Sequence, residues 1–583
     1  MNTYIFKTTI ATLLAFVLLE LTVQAQVQSK PADKFVDMIG VCVHSARNWT
    51  QYTNNPELPN AEQTTINAAV NMRIRHLRDG IYGWNGGVED FDMNNRGVVT
   101  RFSAISQAGA NAGIPGGFTW IITDNQNDWK RLRDSYLIPL GNKVIVLEGA
   151  NENMGVSGDA QAYLQIRNWW NNILPSLPNL KIATNTGPTA ACEIATAGSL
   201  NDYVHYGNAH PYHFWPPFQP WGKLAHCAFN STCAPPTISL WTAPDNNGGT
   251  IGYLAATRVR RVAADKPMIF TEWGYPTTPD DANGWGVDEQ TVAKYTLRGF
   301  LEHFNAGIVY SCAYELLDSD PVSPFNADPE THFGLAYMNG ALKPSGTALK
   351  RLIGLLEDVG NTNIPTGSLN YSLSGGGLGF TDDKNATTNE IHQTLVQKAD
   401  GKYYLILWQE AISTNANGVG INVPPVNVSV NFGQTVSALK AYSPTTTDNA
   451  NPVVNASNVS SYTFSVPDHP LVIEMSLGTA TGSNPGVVTA NELSVAETNS
   501  SGDVFGIYPN PASGSVTIGF GKDLKHGPVQ VEMFDLLGRR VYSSSVVSGR
   551  SSLQVSTGKY PSGTYVIKVT QGLKVAAKKL VIE

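Results

Sequence analysis

Two glutamates in the 583-residue chain directly follow apolar segments of the kind that forms buried strands. The segment 144–153 (VIVLEGANEN) leads into Asn151 and Glu152, and the segment 268–274 (MIFTEWG) leads into Glu272. A strand end holds a carboxyl group rigidly while leaving it open to a cleft. Two such groups could cleave a glycosidic bond, because one can protonate the leaving oxygen while the other attacks the anomeric carbon or activates water. A single glutamate in this position is more simply the first solvated loop residue, so the interpretation depends on the two matched cases.

Both segments belong to a series of strand-like runs that alternate with helical patterns between about residues 30 and 357. The candidate strands are 36–44, 73–79, 114–122, 144–150, 180–186, 203–210, 267–273 and 308–314, and the clearest helices are 61–70, 160–173, 288–306 and 345–356. Eight such units predict a (β/α)8 barrel, a TIM barrel of the α/β class, with insertions. A doubly wound open sheet is the alternative, but it usually carries a Gly-rich first turn, and here the first run ends in Val43-His44-Ser45.

In this count Glu152 ends the fourth strand and Glu272 ends the seventh. Active sites of such barrels lie at the C-terminal ends of the strands. We therefore expect the two carboxyl groups to face each other across the barrel mouth.

The strand ends carry an ordered set of residues: Arg78 in the second strand, Asn151-Glu152 at the fourth, His210 and Tyr212 at the sixth, and Glu272-Trp273-Gly274 at the seventh. This set resembles the clan A glycoside hydrolases, a superfamily of retaining enzymes on (β/α)8 barrels. The resemblance covers roughly residues 35–345. It implies that Glu152 is the acid/base and that Glu272 is the nucleophile. It also implies that Arg78 braces the nucleophile, and that His210 and Tyr212 form an active-site pair.

One residue departs from the clan pattern, and two further segments fit it. Asn153 stands where the clan often has proline after Asn-Glu, so the loop after the acid/base differs. The segments 333–335 (FGL) and 340–344 (GALKP) resemble cellulase-like and xylosidase-like members of the clan.

Five further residues are candidates for binding substrate. Asn151 precedes the acid/base, and Trp273 adjoins the nucleophile, where an indole could stack on a sugar ring. Trp120 lies near the end of the third strand, while His44 and Glu315 end the first and eighth strands. A structural role is the alternative for His44, and a loop contact or salt bridge is the alternative for Glu315. The chain has 12 Trp, and their density near the predicted upper face favours a polysaccharide substrate and endo action.

The composition changes after residue 357. Alternation with period two, as in 426–432 (VNVSVNF), predicts an accessory β-sandwich over 358–477. It resembles the sandwich beside the barrel in several clan A families, which implies a mainly structural role. The segment 478–504 is rich in small and polar residues and predicts a flexible linker.

The last segment, 505–583, predicts a second small β-sandwich. It resembles the type A sorting domain of the type IX secretion system of Bacteroidetes. The resemblance rests on four motifs: 508–511 (YPNP), 534–539 (FDLLGR), 562–565 (SGTY) and 578–583 (KKLVIE). It implies the type IX secretion machinery as a partner and a secreted or cell-surface location.

The N-terminus predicts a signal peptide over residues 1–25. Lys7 precedes the apolar run 10–19, and Val23-Gln24-Ala25 fits a cleavage site. A membrane anchor is the alternative, but the apolar run falls short of the roughly 20 residues that a span needs. No later run has that length, so we expect no membrane span in the mature protein.

The cysteines predict disulfide chemistry rather than metal binding. Cys227 and Cys233 flank a short loop and are the natural disulfide pair in an exported chain. Cys42 and Cys312 lie in apolar runs and are expected to be buried thiols. No cysteine or histidine spacing indicates zinc, and no cofactor is implied.

The overall charge completes the functional prediction. The chain carries 39 Lys plus Arg against 47 Asp plus Glu, a net charge of −8, and has no basic stripe, which argues against nucleic acid as a partner. The prediction is a secreted retaining glycoside hydrolase that cleaves β-glycosidic bonds in a polysaccharide or oligosaccharide. A non-catalytic carbohydrate-binding or adhesive surface protein is the alternative, and the intact glutamate pair favours the enzyme. The polysaccharide, the linkage, endo or exo action, the family, the oligomeric state and sugar binding by the sandwich stay open.

Overall fold

The computed structural model contains two compact units, residues 1–479 and 480–583. The structure describes residues 26–47, 50–81, 91–124, 128–151, 156–185, 199–212, 263, 266–278, 286–320, 328–376, 390–415, 417–478, 505–521, 529–534, 540–546, 550–571 and 574–583. The predicted signal peptide, and the predicted linker apart from Gly478, lie outside these residues. Within the described part of the chain, no helix is both long enough and apolar enough to cross a membrane.

The first unit contains the predicted eight-stranded parallel barrel. Two short strands, β1 (Gln26–Gln28) and β2 (Lys30–Pro31), precede it. The barrel strands are β3 (Ile39–Cys42), β4 (His76–Gly80), β5 (Thr119–Thr123), β6 (Val144–Glu148), β7 (Lys181–Ala183), β8 (Gly207–Ala209), β9 (Met268–Trp273) and β10 (Ser311–Ala313). Their order in the sheet is β7-β6-β5-β4-β3-β10-β9-β8. A parallel bridge between Ala183 and Tyr206 joins the two ends of this order, and the barrel prediction is confirmed.

Helices separate most of the strands. They are α1 (Ala32–Met38), α2 (Ala61–Met72), α3 (Val98–Asn111), α4 (Val156–Asn172), α5 (Glu289–Asn305) and α6 (Pro344–Leu356). A composite segment, 129–143, contains the π-helical turn Leu132–Leu137, and a 3-10 turn spans Pro329–Thr331. The helix α5 begins after Asp288, whose carboxylate accepts the backbone N–H groups of Gln290 and Thr291, each at 3.1 Å. This cap satisfies donors that a helix start leaves without an intrahelical partner.

The barrel interior has an apolar lower part. Six buried residues, one each from six strands, form this cluster: Cys42, Ile121, Val146, Ala183, Ile269 and Cys312. Cys42 and Cys312 are free, buried thiols, which confirms that prediction. Because side chains fill the lower barrel, polar residues two positions further along these strands, such as Glu148 after Val146 and Thr271 after Ile269, line the C-terminal mouth.

An antiparallel sandwich follows the barrel in the same unit. Its strands are β11 (Ser368–Asn370), β12 (Ser372–Gly375), β13 (Glu390–Gln397), β14 (Tyr403–Glu410), β15 (Val426–Tyr442), β16 (Val454–Val466) and β17 (Leu471–Leu477). The main sheet has the order β12-β15-β17-β14-β13-β2, β16 pairs with β15, and β1 pairs with β11. The N-terminal strands β1 and β2 therefore tie the chain before the barrel to the sandwich after it.

The helix α5 presents one charged face to the sandwich. Residues at four-residue spacing share a helix face. The ion pairs across this boundary are Lys294–Asp468, Arg298–Glu410 and Glu302–His392. These ion pairs join the sandwich to the barrel.

The second unit contains two antiparallel sheets around one core. Its strands are β18 (Phe505–Tyr508), β19 (Ser515–Phe520), β20 (Val529–Phe534), β21 (Arg540–Val546), β22 (Ser552–Ser556), β23 (Gly563–Gln571) and β24 (Lys574–Ile582). The sheet orders are β18-β19-β22 and β21-β20-β23-β24. Buried side chains from both sheets, such as Ile518 and Ile567, belong to the same apolar cluster. The predicted small β-sandwich is confirmed.

The first and last motifs of this unit contact each other. In the motif 508–511, the Asn510 amide donates to the carbonyl of Lys579 at 2.7 Å and accepts the N–H of Val581 at 2.8 Å. The N–H of Ala512 then donates to the carbonyl of Val581 at 2.7 Å. The asparagine side chain thus satisfies backbone groups on the outer edge of the C-terminal strand β24, which accounts for an asparagine between two prolines.

Candidate active site

A β-bulge at the end of β9 directs Glu272 into the barrel. Ser311 of β10 pairs with Phe270, and Ala313, two residues later, pairs with Trp273, three residues after Phe270. The strand β9 therefore has one extra residue at this point. The extra residue interrupts the alternation of sides, so Thr271 and Glu272 both hydrogen-bond to residues of the inner wall. Bulges of this kind redirect side chains next to active sites. Glu272 is 7% exposed at the mouth.

Three side chains hold the Glu272 carboxylate. The hydroxyl of Tyr212 donates to Oε2 at 2.8 Å, and Nη1 of Arg78 donates to Oε1. Nδ1 of His210 lies 3.5 Å from Oε2. These residues come from different parts of the mouth, since Arg78 is in β4 and the other two follow β8. The sequence-predicted group of Glu272, Arg78, His210 and Tyr212 is therefore brought together.

Arg78 bridges two carboxylates rather than one. Its Nε donates to Oε1 of Glu148 at 2.8 Å, and its Nη2 donates to the same oxygen and to Oδ1 of Asn151, the latter at 2.6 Å. Burial lowers the pKa of Arg78, but the charges of Glu148 and Glu272 outweigh it and raise that pKa well above its ordinary value. The guanidinium is thus a permanent cation between the fourth and seventh strands.

A hydrogen-bonded layer lies beside this arginine. The amide of Asn208 donates to Oε2 of Glu148 at 2.9 Å and lies 2.8 Å from the hydroxyl of Thr271. The same hydroxyl is 3.0 Å from Nε2 of His210. Strands β4, β6, β8 and β9 are therefore linked by one polar network, which fixes the residues around Glu272.

A second polar group lies at the ends of β3 and β10. Oε2 of Glu315 accepts the hydroxyl of Tyr52 at 2.8 Å and lies 3.5 Å from Nε2 of His44. Glu315 is 2% exposed. The ring of Tyr314 makes edge-to-face contacts with His44 and with Tyr212, at centroid distances of 5.8 and 6.3 Å, and so joins this group to the first.

Both members of the His44–Glu315 contact are electrically neutral near pH 7. Burial lowers the pKa of His44 to about 3, and Arg47 acts in the same direction. Burial raises the pKa of Glu315 to about 8, although the Tyr52 hydrogen bond opposes the change. The 3.5 Å contact therefore joins a neutral imidazole to a carboxylic acid, and it is not a salt bridge near pH 7.

Asp318, three residues after Glu315 in the loop that follows β10, does form a salt bridge. Its Oδ1 lies 2.7 Å from Nζ of Lys343 and accepts the N–H of Gly334 at 2.9 Å. The pair is buried and fixes the loop after β10.

The two tryptophans proposed as sugar platforms are core residues. Trp273 is 1% exposed, packs edge-to-face on Phe300 at 4.8 Å, and donates from Nε1 to Ser311 at 2.8 Å. Trp120 is fully buried and stacks on Phe102 with centroids 3.7 Å apart. Both face the helices α5 and α3 instead of the barrel mouth. The prediction that they bind substrate is wrong, because each points to the side of its strand away from the barrel interior.

Three predicted residues lie outside the described part of the chain. They are Glu152 and the proposed disulfide pair, Cys227 and Cys233. Their roles stay predictions. Asn151, the neighbour of Glu152, is described, and its contact with Arg78 places the end of the fourth strand beside the Glu272 group.

Sequence reasoning missed three residues of the site. Glu148 and Tyr52 are buried and hydrogen-bonded to the predicted residues Arg78 and Glu315, and Asn208 is buried and hydrogen-bonded to Glu148. A signal existed for Glu148, since a carboxylate inside an apolar strand requires a buried partner. No comparable signal marks Tyr52, whose position depends on the loop after β3.

One cluster of potential metal ligands occurs among the described residues, away from the barrel mouth. Glu302, His392 and Glu410 have ligand atoms within 4.8 Å of one another. Oε2 of Glu410, however, accepts Nε of Arg298 and Nε1 of Trp408, both at 2.8 Å. The guanidinium already supplies the positive charge that an ion would bring. The cluster is therefore an ion-pair group of the barrel–sandwich boundary.

Sequence comparison assigns the tail. Residues 506–583 match the family model described as "Secretion system C-terminal sorting domain". The tail is thus a type IX sorting domain, which directs the chain to the cell surface or the extracellular space and confirms the predicted location. No curated protein matches the chain significantly.

Solved structures similar to the chain are distant in sequence. A family 39 glycoside hydrolase from the gut symbiont Bacteroides cellulosilyticus WH2 is 14% identical, with a TM-score of 0.46, over 77% of this chain and 81% of that one. An α-L-arabinofuranosidase from Thermotoga maritima is 12% identical, with a TM-score of 0.38, over 77% and 98%. A β-glucuronidase from Parabacteroides merdae is 11% identical, with a TM-score of 0.33, over 93% and 61%.

Proposed function

We propose that the first unit is a retaining glycoside hydrolase, with Glu272 as the nucleophile and Glu152 as the acid/base. The observation that carries the proposal is the setting of Glu272 at the end of the seventh barrel strand. Hydrogen bonds from Arg78 and Tyr212 stabilise its carboxylate and leave it at the mouth. The same guanidinium also binds Glu148, so Glu272 is held in place from a second strand.

The proposed reaction has two displacements. First, an oxygen of Glu272 forms a bond to the anomeric carbon while the glycosidic carbon–oxygen bond breaks, and the leaving oxygen takes the proton of Glu152. Next, water gives a proton to the Glu152 carboxylate and bonds to the anomeric carbon, and the ester bond to Glu272 breaks. The carboxylate of Glu272 is thereby restored, and the configuration of the sugar is retained.

The proposed substrate is a β-linked polysaccharide or oligosaccharide. The sorting tail supports a polymer, since it directs the enzyme out of the cell, where polymers too large to import are met. Endo action belongs to the proposal as well. The density of tryptophans favoured endo action in the sequence. The structure places two of them, Trp120 and Trp273, in the core. The others named for this face lie outside the described part of the chain: Trp84, Trp215, Trp221 and Trp285.

The direct experiment is a substrate screen with a matched inactive variant. Purified protein is incubated with β-glucan, xylan, mannan and galactan, and with 4-nitrophenyl β-glycosides, and reducing ends or nitrophenolate are measured. We expect release from at least one substrate, and we expect Glu272→Gln to lower it at least about 10⁴-fold, because the amide cannot form the covalent intermediate. A protein that binds a polysaccharide in a pull-down without releasing reducing ends would instead be the adhesive alternative.

A further inference from the structure

Glu148 is the most enclosed ionisable side chain at the barrel mouth. It ends β6, four residues before Glu152, and is 0% exposed. Its Oε1 accepts two N–H groups of Arg78, and its Oε2 accepts the amide of Asn208 at 2.9 Å. Accepting hydrogen bonds at both oxygens is the pattern of a carboxylate.

This enclosure excludes Glu148 from acid/base work. An acid must hold a proton and reach the leaving oxygen, whereas Glu148 has its oxygens turned to Arg78 and Asn208 and has no exposed surface. It therefore touches neither the substrate nor a reacting atom. A role in the reaction has to act through Arg78.

The charges around Arg78 do not balance in the free enzyme. One guanidinium faces two carboxylates, Glu148 and Glu272, which gives the group a net charge of −1. When Glu272 forms the glycosyl ester, its charge disappears, and Arg78 remains paired with Glu148. Without Glu148, the same step would leave a buried guanidinium with no counter-charge, which is strongly unfavourable.

We propose that Glu148 is a positioning residue: because of its charge, the three-residue group of Glu148, Arg78 and Glu272 is negative before the reaction and neutral in the glycosyl-enzyme. The inference rests on the proposed function and deepens it. Glu148 also fixes the guanidinium at Nε and Nη2, so that only Nη1 is aimed at Glu272. The excess negative charge favours the transition state, since the sugar ring becomes oxocarbenium-like and positive there.

The test compares cationic with neutral ligands of the same site. The substrate is the 4-nitrophenyl glycoside that the wild-type protein hydrolyses. The cationic probe is an isofagomine-type iminosugar of the same configuration, whose ring nitrogen replaces the anomeric carbon, and the neutral probe is the free monosaccharide. We expect Glu148→Gln to lower kcat on the order of 100-fold. We also expect it to weaken the iminosugar about 10- to 100-fold while changing monosaccharide binding less than about 2-fold.

Two further variants separate charge from packing. Glu148→Asp keeps the charge and should retain the preference for the cation, although a shorter side chain lowers kcat. Glu410→Gln is the matched control, because Glu410 is also a buried glutamate that accepts an arginine, Arg298, but lies at the barrel–sandwich boundary. It should lower the melting temperature and leave kcat and the ligand preference unchanged. A wild-type kcat for Glu148→Gln, or an equal loss for both ligands, would overturn the proposal.

A wild-type measurement covers the case in which Glu148→Gln does not fold. A crystal structure of the enzyme trapped with a 2-deoxy-2-fluoro glycoside should show Arg78 still within about 3 Å of Glu148. An arginine turned away from Glu148 in that state would contradict the proposal. Failure of the underlying function is distinguishable, since the wild-type protein would then hydrolyse no glycoside in the first screen.

Discussion

At the scale of single residues, the mouth of the barrel separates charged from neutral groups. Glu272, Glu148 and Arg78 form a charged group held by hydrogen bonds across three strands. His44 and Glu315 form a neutral pair, because burial lowers the pKa of His44 to about 3 and raises the pKa of Glu315 to about 8. In the proposed enzyme, a sugar at the mouth would lie between Glu272 on one side and the His44–Glu315 pair on the other.

The Glu315 pair predicts how stability varies with pH. The pKa of Glu315 is about 8 in the folded protein against 4.5 for an ordinary glutamate, so the folded state keeps a proton that the unfolded chain releases between these values. The contribution of Glu315 to stability must then fall as pH rises from about 4.5 to 8. The Gln side chain of Glu315→Gln cannot ionise. The melting temperature of this variant, minus that of the wild type, should therefore increase by about a few degrees from pH 5 to pH 8. A difference in melting temperature that does not vary with pH would contradict a buried, protonated Glu315.

The acid/base assignment predicts a different response at Glu152. Glu152→Ala should lose most activity on a natural glycoside, whose leaving oxygen needs a proton, by about 10²–10⁴-fold. It should keep much more activity on a 2,4-dinitrophenyl glycoside, and added azide should accelerate turnover and yield a glycosyl azide. Product analysis by mass spectrometry checks this. Equal loss on both substrates, with no azide product, would remove Glu152 from the acid/base role.

At the scale of elements, the eight barrel strands could be predicted because buried parallel strands read as short apolar runs. Their ends were less predictable. The first strand was expected over 36–44, yet α1 occupies Ala32–Met38 and the strand is Ile39–Cys42, since an apolar run fits a buried helix equally well. The order of the strand ends was enough to bring Arg78 and Glu272 together.

The errors at the site have local physical causes. Trp273 could have been excluded as a platform by alternation, because neighbours along a strand face opposite sides and Glu272 faces the mouth. The bulge that puts Thr271 on the same side as Glu272 was not predictable, since it depends on the register with β10. Tyr52 reaches Glu315 through a loop whose course the sequence does not specify.

The Arg298–Glu410 ion pair on the charged face of α5 predicts that removing one partner destabilises the first unit, and that replacing both partners restores most of the lost stability. Arg298→Met leaves the buried Glu410 carboxylate without its cation and should destabilise the first unit by about 3–5 kcal/mol. Replacing both, as Arg298→Met with Glu410→Leu, should recover most of that loss, because an apolar pair needs no counter-charge. Thermal unfolding of the three variants measures this. A double variant no more stable than Arg298→Met would show that the pair is not the cause of the loss.

At the scale of the whole molecule, catalysis and export are assigned to separate units of the chain. The barrel and sandwich form one compact unit, and the sorting domain lies in the other. Deletion of residues 505–583 should leave kcat and KM of the purified protein unchanged, while the protein accumulates in the periplasm instead of the medium or cell surface. Fractionation and an assay of each fraction test both parts. Loss of activity in the purified truncated protein would mean that the tail belongs to the catalytic unit.

If Glu272 attacks the sugar, it must carry a covalent label after reaction with a substrate whose intermediate breaks down slowly. The wild-type protein is incubated with a 2,4-dinitrophenyl 2-deoxy-2-fluoro-β-glycoside of the sugar that it hydrolyses, which slows breakdown of a covalent intermediate. Peptide mass spectrometry then locates the label. We expect one sugar per chain, attached to Glu272 and absent from Glu272→Gln. Hydrolysis without any labelled peptide, or a label on a different residue, would contradict it.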